Sequence, residues 1–457
     1  MIPGLKQGGH FRMKHKASGS TSRPKGSGRG DRSLILTSAA EAVRSLHTRR
    51  PARKKTAARI SARPVDIIDT EGWEEAALSI SQKIQERHLP FGVIMDPICV
   101  SPDRDGIVNY TRAGDSAIWT GHYLAAEAFR FKVTESPEAL ENVRAALAGL
   151  QSLVDVTGTG LLARTLVPMN SRFAESITRE EASNGIFKGK LNGREYFWVG
   201  DTSRDQYCGV LFGLAVAHEM VTDPGVRSEI AQLVTRLLEF LVDHHWAVVM
   251  PDGRISTVFI GRPDQQLTLL QIGRRVNSGR FSKLYRERRS ALARFVIVPI
   301  AFEVLDDHNS YFKFNLATIN LFNLIRLEDS SQFKEYFTFA YTVLRRTTDD
   351  HGNAHFNMID RALKGPDRRR DEETPELLAA WLRRPSRDEF VDLRGTIRSC
   401  GQPDRACHAI PVEQRVRTDF LWQRSPFLLV GGGSGLIEAP GIDFILPYWM
   451  ARFYQVL

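Results

Sequence analysis

Helices of two kinds alternate along most of this chain. Residues 116–131, 203–221 and 310–327 are predicted helices that are apolar on more than one face and contain small residues. Each is followed, after a short turn, by a helix whose apolar residues recur every three or four positions, as Leu140, Val143 and Leu147 do. A helix that is apolar all round is buried on all sides, whereas a one-sided helix covers it from outside.

This repetition predicts an all-α fold, an α/α toroid of inner and outer helices. Long alternations of Val, Ile and Thr are sparse, so few strands are expected. The chain beyond residue 66 has room for roughly twelve helices with their connections, at a mean helix length of about 11–12 residues.

The net charge of +9 divides unevenly between a tail and the rest of the chain. Residues 1–63 contain 16 Lys or Arg and only two acidic residues, so they carry +14 and the remainder carries −5. Gly, Ser, Lys and Arg dominate residues 1–30, and such a composition cannot bury enough apolar surface to fold. We therefore predict a disordered basic tail over residues 1–66 and one toroid domain over residues 67–457.

The tail itself is open to several interpretations. Its acid-poor composition is typical of an organelle transit peptide, its basic runs favour weak phosphate binding, and it could also precede the true start of the protein. A solvated tail without a role in the chemistry is the usual meaning of a charge run. The mildly acidic remainder lacks the basic face of a nucleic-acid platform, so no nucleic-acid partner is expected for the folded body.

Neither a membrane span nor a cofactor site is predicted. The longest apolar run, residues 295–302, is far shorter than the ~20 residues of a membrane helix. The sequence has no phosphate-binding loop, no GxGxxG after a strand, and no HExxH, GxSxG or CxxC motif. We therefore expect no cofactor and no metal.

Four cysteines bear on the compartment. Cys99 and Cys208 have apolar neighbours and are predicted to be small buried hydrophobes. Cys400 and Cys407 bracket a polar loop, which suits a local disulfide more than a zinc site with His408. Export is expected if they pair and a cytoplasmic location if they do not.

Polar clusters stand where the inner helices begin. Asp115 precedes the first, residues 200–207 open the second, and residues 306–311 open the third. Glu438 lies between the glycine-rich turn 431–435 and the last inner helix. Inner helices that share one direction would bring these clusters to one mouth of the toroid.

The openings Gly-Asp-Ser and Gly-Asp-Thr and the closing sequence GIDFILPYWMARFY resemble the six-hairpin glycosidase superfamily of (α/α)6 barrels, over residues 67–457. The resemblance implies a carbohydrate-active protein with acidic residues in a central cleft and an oligo- or polysaccharide as its partner. Members of the superfamily include glycoside hydrolases, unsaturated-glucuronyl hydrolases and epimerases, and related toroids are polysaccharide lyases.

Glycoside hydrolysis is the leading hypothesis. This reaction needs one protonated and one ionised carboxyl group, and the polar clusters offer several candidates. Asp205 is the candidate general acid, with Asp115 or Asp201 as the base; Glu438 is a further candidate base. Asp201 and Asp205 would share a helix face. For Asp115 and Asp201, the alternative role is to cap a helix.

A lyase or epimerase acting on uronic acids is the alternative enzyme. His308 and Tyr311 are three residues apart, in a stretch loosely similar to the Asn-Asn-His-…-Tyr segment of toroidal lyases, where such groups remove a proton beside a carboxylate. Here Asp306 and Asp307 replace the two asparagines and would repel a uronate. The third hypothesis is a toroid that binds glycans without turnover.

Several other side chains near these clusters are candidates for contacts with a sugar. Trp119 and His122 follow Asp115 on one helical face, although a core tryptophan and a core histidine are the ordinary alternatives. The full set of candidate substrate-binding residues is Trp119, His122, Arg204, Tyr207, Lys313, Asn315 and Trp422.

Overall fold

The computed structural model describes residues 70–305 and 311–457 and shows a mostly helical chain. The predicted tail, residues 1–66, lies outside the described residues. The helices within them are α1 (Trp73–Lys83), α2 (Ser116–Thr134), α3 (Pro137–Asp155), α4 (Ala174–Glu180), α5 (Arg204–Met220), α6 (Pro224–Asp243), α7 (Pro263–Val276), α8 (Ser278–Leu292), α9 (Ile297–Leu305), α10 (Phe312–Arg326), α11 (Ser331–Thr347), α12 (Ala354–Lys364), α13 (Arg368–Leu382) and α14 (Ile442–Phe453).

Six of these helices pack against one another in a closed order. Helix α2 contacts α5, and the contacts continue through α7, α10, α12 and α14 back to α2. Nearly every residue of α2, α5 and α14 is buried, as expected for helices that are apolar all round.

Six further helices cover this set, each with one buried face. Helix α1 packs on α14, α3 on α2, α6 on α5 and α7, α8 on α7, α11 on α10, and α13 on α12 and α14. Two of these helices begin at a residue whose side chain caps the helix. Ser136 Oγ accepts a hydrogen bond from Ala139 N in α3, and Asp223 Oδ1 accepts one from Val226 N in α6, with proline at the next position in each.

Glycine lets α2 and α5 approach closely. A Cβ at Gly121 would lie 2.2 Å from the carbonyl oxygen of Gly209, and a Cβ at Gly213 would lie 2.1 Å from that of Gly121. Real Cβ atoms do not come that close to backbone, so the two helices meet only because these positions lack side chains.

The structure also contains more strands than the few that the sequence predicted. They are β1 (Asp96–Ser101), β2 (Arg104–Thr111), β3 (Thr165–Pro168), β4 (Ile186–Leu191), β5 (Arg194–Val199), β6 (Ala247–Val249), β7 (Ile255–Val258), β8 (Arg387–Asp392), β9 (Ser399–Cys400), β10 (Gln402–Ala406) and β11 (Val430–Glu438). They lie in the connections between helices and are short, so they leave little alternation in the sequence to detect.

The strands form four antiparallel sheets, with orders β2-β1-β11-β8, β3-β5-β4, β6-β7 and β9-β10. In the largest sheet, Ile98 of β1 is paired with Ile437 of β11, which joins an early part of the chain to a late one.

The cysteine predictions agree with the structure. Cys400 and Cys407 form a disulfide at the β9–β10 hairpin, and Cys99 and Cys208 are free and buried. None of the described helices is both long and apolar enough to cross a membrane.

Candidate active site

A cavity of about 480 Å³ lies where the first residues of α2, α5 and α10 meet the segment 402–428. Its volume falls within the ~300–1,000 Å³ of ligand sites. The helix side contributes Asp115, Ile118, Trp119, Asp205, Tyr311 and Phe312. The facing segment contributes chiefly Gln402, Asp404, Arg405, Asp419, Gln423 and Arg424. The expected convergence of polar helix starts therefore holds for Asp115, Asp205 and Tyr311.

Asp115 is a carboxyl group in this cavity whose acidity the protein alters. It immediately precedes α2, and 42% of its side chain is exposed to the cavity although protein surrounds it closely. Its Oδ1 accepts a hydrogen bond from Gln206 Nε2 at 2.9 Å and lies 3.8 Å from Arg164 Nη1. Burial raises the pKa of Asp115 to about 7, and the charges of Asp419 and Asp205 add to the rise. A substantial fraction of Asp115 is therefore protonated at neutral pH.

Asp205 faces the same cavity and is available to a ligand. It is the second residue of α5, and its side chain makes no hydrogen bond or ion pair with residues 70–305 and 311–457. Its charge is one of those that raise the pKa of Asp115, so the two carboxyl groups are electrostatically coupled.

Asp201 does not join Asp205 on one helical face, contrary to expectation. Helix α5 begins at Arg204, and Asp201 precedes it in the left-handed region, with φ of 44°. The Asp201 carboxylate pairs with Arg254 at 3.2 Å and does not line the cavity.

Asp419 fixes the floor of the cavity. Its Oδ2 accepts a hydrogen bond from Trp119 Nε1 at 3.1 Å, and its Oδ1 accepts one from Phe420 N at 2.9 Å. The Trp119 ring also stacks on Phe420, with ring centroids 5.1 Å apart. Both contacts hold the indole in one orientation beside the carboxyl groups.

Tyr311 lines the cavity beside the start of α10. Its hydroxyl lies 3.1 Å from His351 Nδ1, and burial raises its pKa to about 12. Its predicted partner, His308, lies outside the described residues. On the facing segment, Arg424 Nε donates to Thr418 Oγ1 at 3.1 Å.

Three of the remaining predicted residues lie in the core. His122 Nδ1 lies 2.9 Å from the carbonyl oxygen of Ile118, and burial lowers its pKa to about 4, so its alternative interpretation as a core histidine fits. Tyr207 is buried and accepts a hydrogen bond from Leu162 N. Trp422 is buried, with its indole N–H bonded to a backbone carbonyl at 2.6 Å.

The other candidates are also separate from this cavity. Asn315 Nδ2 lies 3.5 Å from His122 Nε2 in the interior, and Arg204 and Lys313 line a second cavity. Glu438 is buried and pairs with Arg87 at 2.9 Å. Burial alone would raise the pKa of Glu438, but His88 and Arg87 outweigh it and lower that pKa to about 2.

Two parts of this site escaped the sequence prediction. Asp419 lies in a loop, where no helical period indicates the direction of its side chain. Gln206, which bonds both Asp115 and Ile118 N, falls within a run of helix residues where nothing marks it. Within the described ranges, no group of three or more His, Cys, Asp or Glu side chains is arranged to hold a metal ion.

Comparisons with known proteins found a remote likeness among solved structures. No family model matches the chain, and no curated protein matches it. Among solved structures, cellobiose 2-epimerase from Spirochaeta thermophila DSM 6192 is similar at 10% identity and a TM-score of 0.39, over 84% of this chain and 96% of that one. This likeness is too weak to indicate a function for the chain.

Proposed function

We propose that this chain is a carbohydrate-active enzyme, a glycoside hydrolase with Asp115 as general acid and Asp205 as the second carboxyl group. The observation that carries the proposal is the contrast between these two side chains in one cavity. Asp115 has its pKa raised to about 7, whereas Asp205 has no partner among the described residues. Carboxyl groups whose environments differ in this way suit the acid and base roles of glycoside hydrolysis.

In this mechanism Asp115 donates its proton to the glycosidic oxygen as the bond to the anomeric carbon breaks. Asp205 either activates a water molecule or attacks the anomeric carbon itself, and the separation of the two carboxyl groups around a bound sugar decides which. Trp119, held by Asp419 and Phe420, offers an apolar surface to a sugar ring.

The roles of Asp115 and Asp205 are thus exchanged relative to the sequence-based hypothesis. Burial and two neighbouring carboxylates favour the protonated form of Asp115, and both causes depend on tertiary packing. Asp201 is not assigned a catalytic role, because it is engaged by Arg254 outside the cavity.

We further infer that the scaffold is an (α/α)6 toroid. Six helices that contact one another in a closed order, each with a one-sided helix packed on it, support this interpretation. The catalytic carboxyl groups then lie at the mouth formed by the starts of the inner helices.

A lyase or epimerase acting on uronic acids is the second candidate. Tyr311 and Arg424 line the same cavity, where a proton acceptor and a cation could serve a uronate. A pKa of about 12 for Tyr311 disfavours proton abstraction at neutral pH, which is why hydrolysis is preferred.

The test begins with the full-length protein and a panel of neutral and uronate-containing polysaccharides. Hydrolysis releases reducing ends without ultraviolet absorbance, whereas a lyase produces both signals because it leaves an unsaturated uronate. An epimerase produces neither, and nuclear magnetic resonance of the sugar mixture detects it. Silence in all three measurements contradicts the proposal of an enzyme and favours a glycan-binding protein.

Substitutions then separate the two carboxyl roles. Asp115→Asn and Asp205→Asn should each lower kcat on a natural glycoside by about 10²–10⁴-fold. On an aryl glycoside with a good leaving group, Asp115→Asn should recover most of the activity, since that group departs without a proton, and Asp205→Asn should not. Recovery by Asp205→Asn alone would reverse the assignment.

A further inference from the structure

A second cavity of about 330 Å³ adjoins the first. Asp205 and Phe312 line both cavities, so the carboxyl group of Asp205 stands at the junction between them. The second cavity continues along the starts of α5, α7 and α10 and reaches strand β7 at Thr257. A ligand larger than one sugar could therefore extend from one cavity into the other past Asp205.

The wall of this second cavity contains polar groups that the protein leaves unsatisfied. Gln265 and Glu303 both line it and are almost fully buried, and neither Gln265 Oε1 nor Glu303 Oε2 has a hydrogen-bond partner among the described residues. Buried acceptors without partners are uncommon and call for a bound water or ligand.

A neighbouring charge holds Glu303 in place. Arg262 Nη1 donates to the other oxygen of Glu303 at 2.5 Å and also pairs with Asp264, so its position is fixed. Arg204, which opens α5, donates to the carbonyl oxygen of Val258 and forms no ion pair with the described residues. The cavity thus combines acceptors at its wall with a cationic donor, a set that matches the hydroxyl groups of a sugar.

We propose that the second cavity is a subsite for an adjacent sugar unit, so that the ligand is an oligosaccharide chain that crosses Asp205. The proposal rests on the proposed function in that the first cavity holds a sugar. In the bound chain, hydroxyl groups donate to Gln265 and Glu303 and accept from Arg204. A substrate that consisted of a single small sugar in the first cavity would leave the second cavity without a ligand.

Binding as a function of chain length tests this subsite without requiring turnover. Cellulose, xylan and polygalacturonate oligosaccharides of two to six units are titrated into full-length Asp115→Asn protein, and Kd is measured by calorimetry. In one of these three oligosaccharide series, the added unit that enters the second cavity should lower Kd by at least about fivefold. One or two net hydrogen bonds would have an effect of this size.

Variants of the second cavity should remove that increment. Gln265→Leu in the same background should bind the longer and the shorter oligosaccharide with equal affinity, and Thr257→Phe, which fills the cavity from β7, should do the same if Gln265→Leu fails to fold. Gln266→Leu is the matched control, because Gln266 also has an unpartnered buried Oε1 on α7 but does not line the cavity. It should keep the increment.

The outcomes also separate this proposal from the hydrolase. An increment that is absent from every series, or that survives in both Gln265→Leu and Thr257→Phe, overturns the subsite. Wild-type protein that shows the increment yet releases no reducing ends retains the subsite and overturns the hydrolase. Hydrolysis without the increment retains the hydrolase and overturns the subsite.

Discussion

At the scale of single residues, the acidity of Asp115 depends on groups from three separate parts of the chain. Asp205 lies on α5, Asp419 lies in the segment that faces the helices, and Arg164 precedes β3. The first two favour the protonated carboxyl group, and Arg164 opposes them. The activity should therefore depend on pH through the pKa of Asp115, which these groups influence.

The alkaline limb of kcat/KM should lie near pH 7. The pKa of Asp115 is raised from 3.8 to about 7, so the proton-donating form is complete at lower pH and is lost as pH rises through that value. A profile of kcat/KM from pH 4 to 9 measures it. A limb that lies above pH 9 would contradict Asp115 as the acid.

Substitution of Asp419 should move that limb to lower pH. Asp419→Asn removes a negative charge that raises the pKa of Asp115, while the amide oxygen can still accept the Trp119 hydrogen bond. Asp404→Asn is the matched control, since Asp404 lines the cavity but is not among the main influences on Asp115. The limb should stay in place in the control, and an equal shift in both variants would assign the effect to the general charge of the cavity.

The sequence could identify Asp115 and Asp205 as candidates but not the roles proposed for them. Both stand at the starts of helices that are apolar on more than one face, which makes their positions predictable from the sequence pattern. Which carboxyl group stays protonated depends on burial and on Asp419, a loop residue about 300 positions away in the sequence. The sequence placed Asp201 on the face of α5 by mistake. A non-glycine residue gives no sign in the sequence that its backbone adopts the left-handed region.

At the scale of helices, the contact between α2 and α5 depends on the absence of side chains. Gly121→Ala would place a methyl group 2.2 Å from the Gly209 carbonyl oxygen, so the helices must separate. We expect a loss of about 1–3 kcal/mol in the free energy of unfolding, measured by urea denaturation. Gly395→Ala, where no atom lies within 4 Å of the added group, should change it little. Equal stability of both variants would mean that α2 and α5 can adjust freely.

The disulfide ties a strand pair that forms part of the cavity. Cys400 and Cys407 close the β9–β10 hairpin, which brings Gln402, Asp404 and Arg405 to the cavity wall. Cys400→Ser with Cys407→Ser should raise KM while leaving kcat near its wild-type value, since the carboxyl groups lie on other elements. The double variant should also lose about 2 kcal/mol of stability. An unchanged KM would show that the hairpin keeps its position without the bond.

The helix pattern was largely predictable and the strands were not. The predicted ranges 116–131, 203–221 and 310–327 correspond closely to α2, α5 and α10, because a long apolar stretch with small residues is a local feature of the sequence. The strands are two to nine residues long and lie in the connections between helices. Some of them pair with distant partners, as β1 does with β11, and such pairing leaves little trace in either segment alone.

At the scale of the whole molecule, early and late parts of the described chain are joined by several independent contacts. Helix α14 packs on α1 and α2, β11 pairs with β1, and two ion pairs, Arg87–Glu438 and Arg452–Glu74, connect the same regions. The closed order of inner helices depends on these contacts, which are too distant in sequence to be predicted from it.

The two ion pairs that join these regions should contribute very differently to stability. Glu438 is buried and its pKa is lowered from 4.5 to about 2, so its contribution is complete above pH 4.5 and is lost as pH falls toward 2. The free energy of unfolding of wild-type protein should exceed that of Glu438→Gln by an amount that shrinks by up to about 3 kcal/mol between pH 6 and pH 2. Urea denaturation at four pH values in this range measures the difference.

Glu74→Gln is the matched control, because it breaks the other ion pair between the same regions of the chain. About half of the Glu74 side chain is exposed, so its pair with Arg452 is screened by water and should contribute less than about 1 kcal/mol at every pH. If the two variants lose equal stability and show the same pH dependence, the contacts of α14 and β11 hold the early and late parts of the chain together. The buried ion pair then adds no stability to these contacts. If only Glu438→Gln shows the predicted dependence, closure is coupled to the charge of a single buried carboxylate, and acid should open the molecule first between β1 and β11.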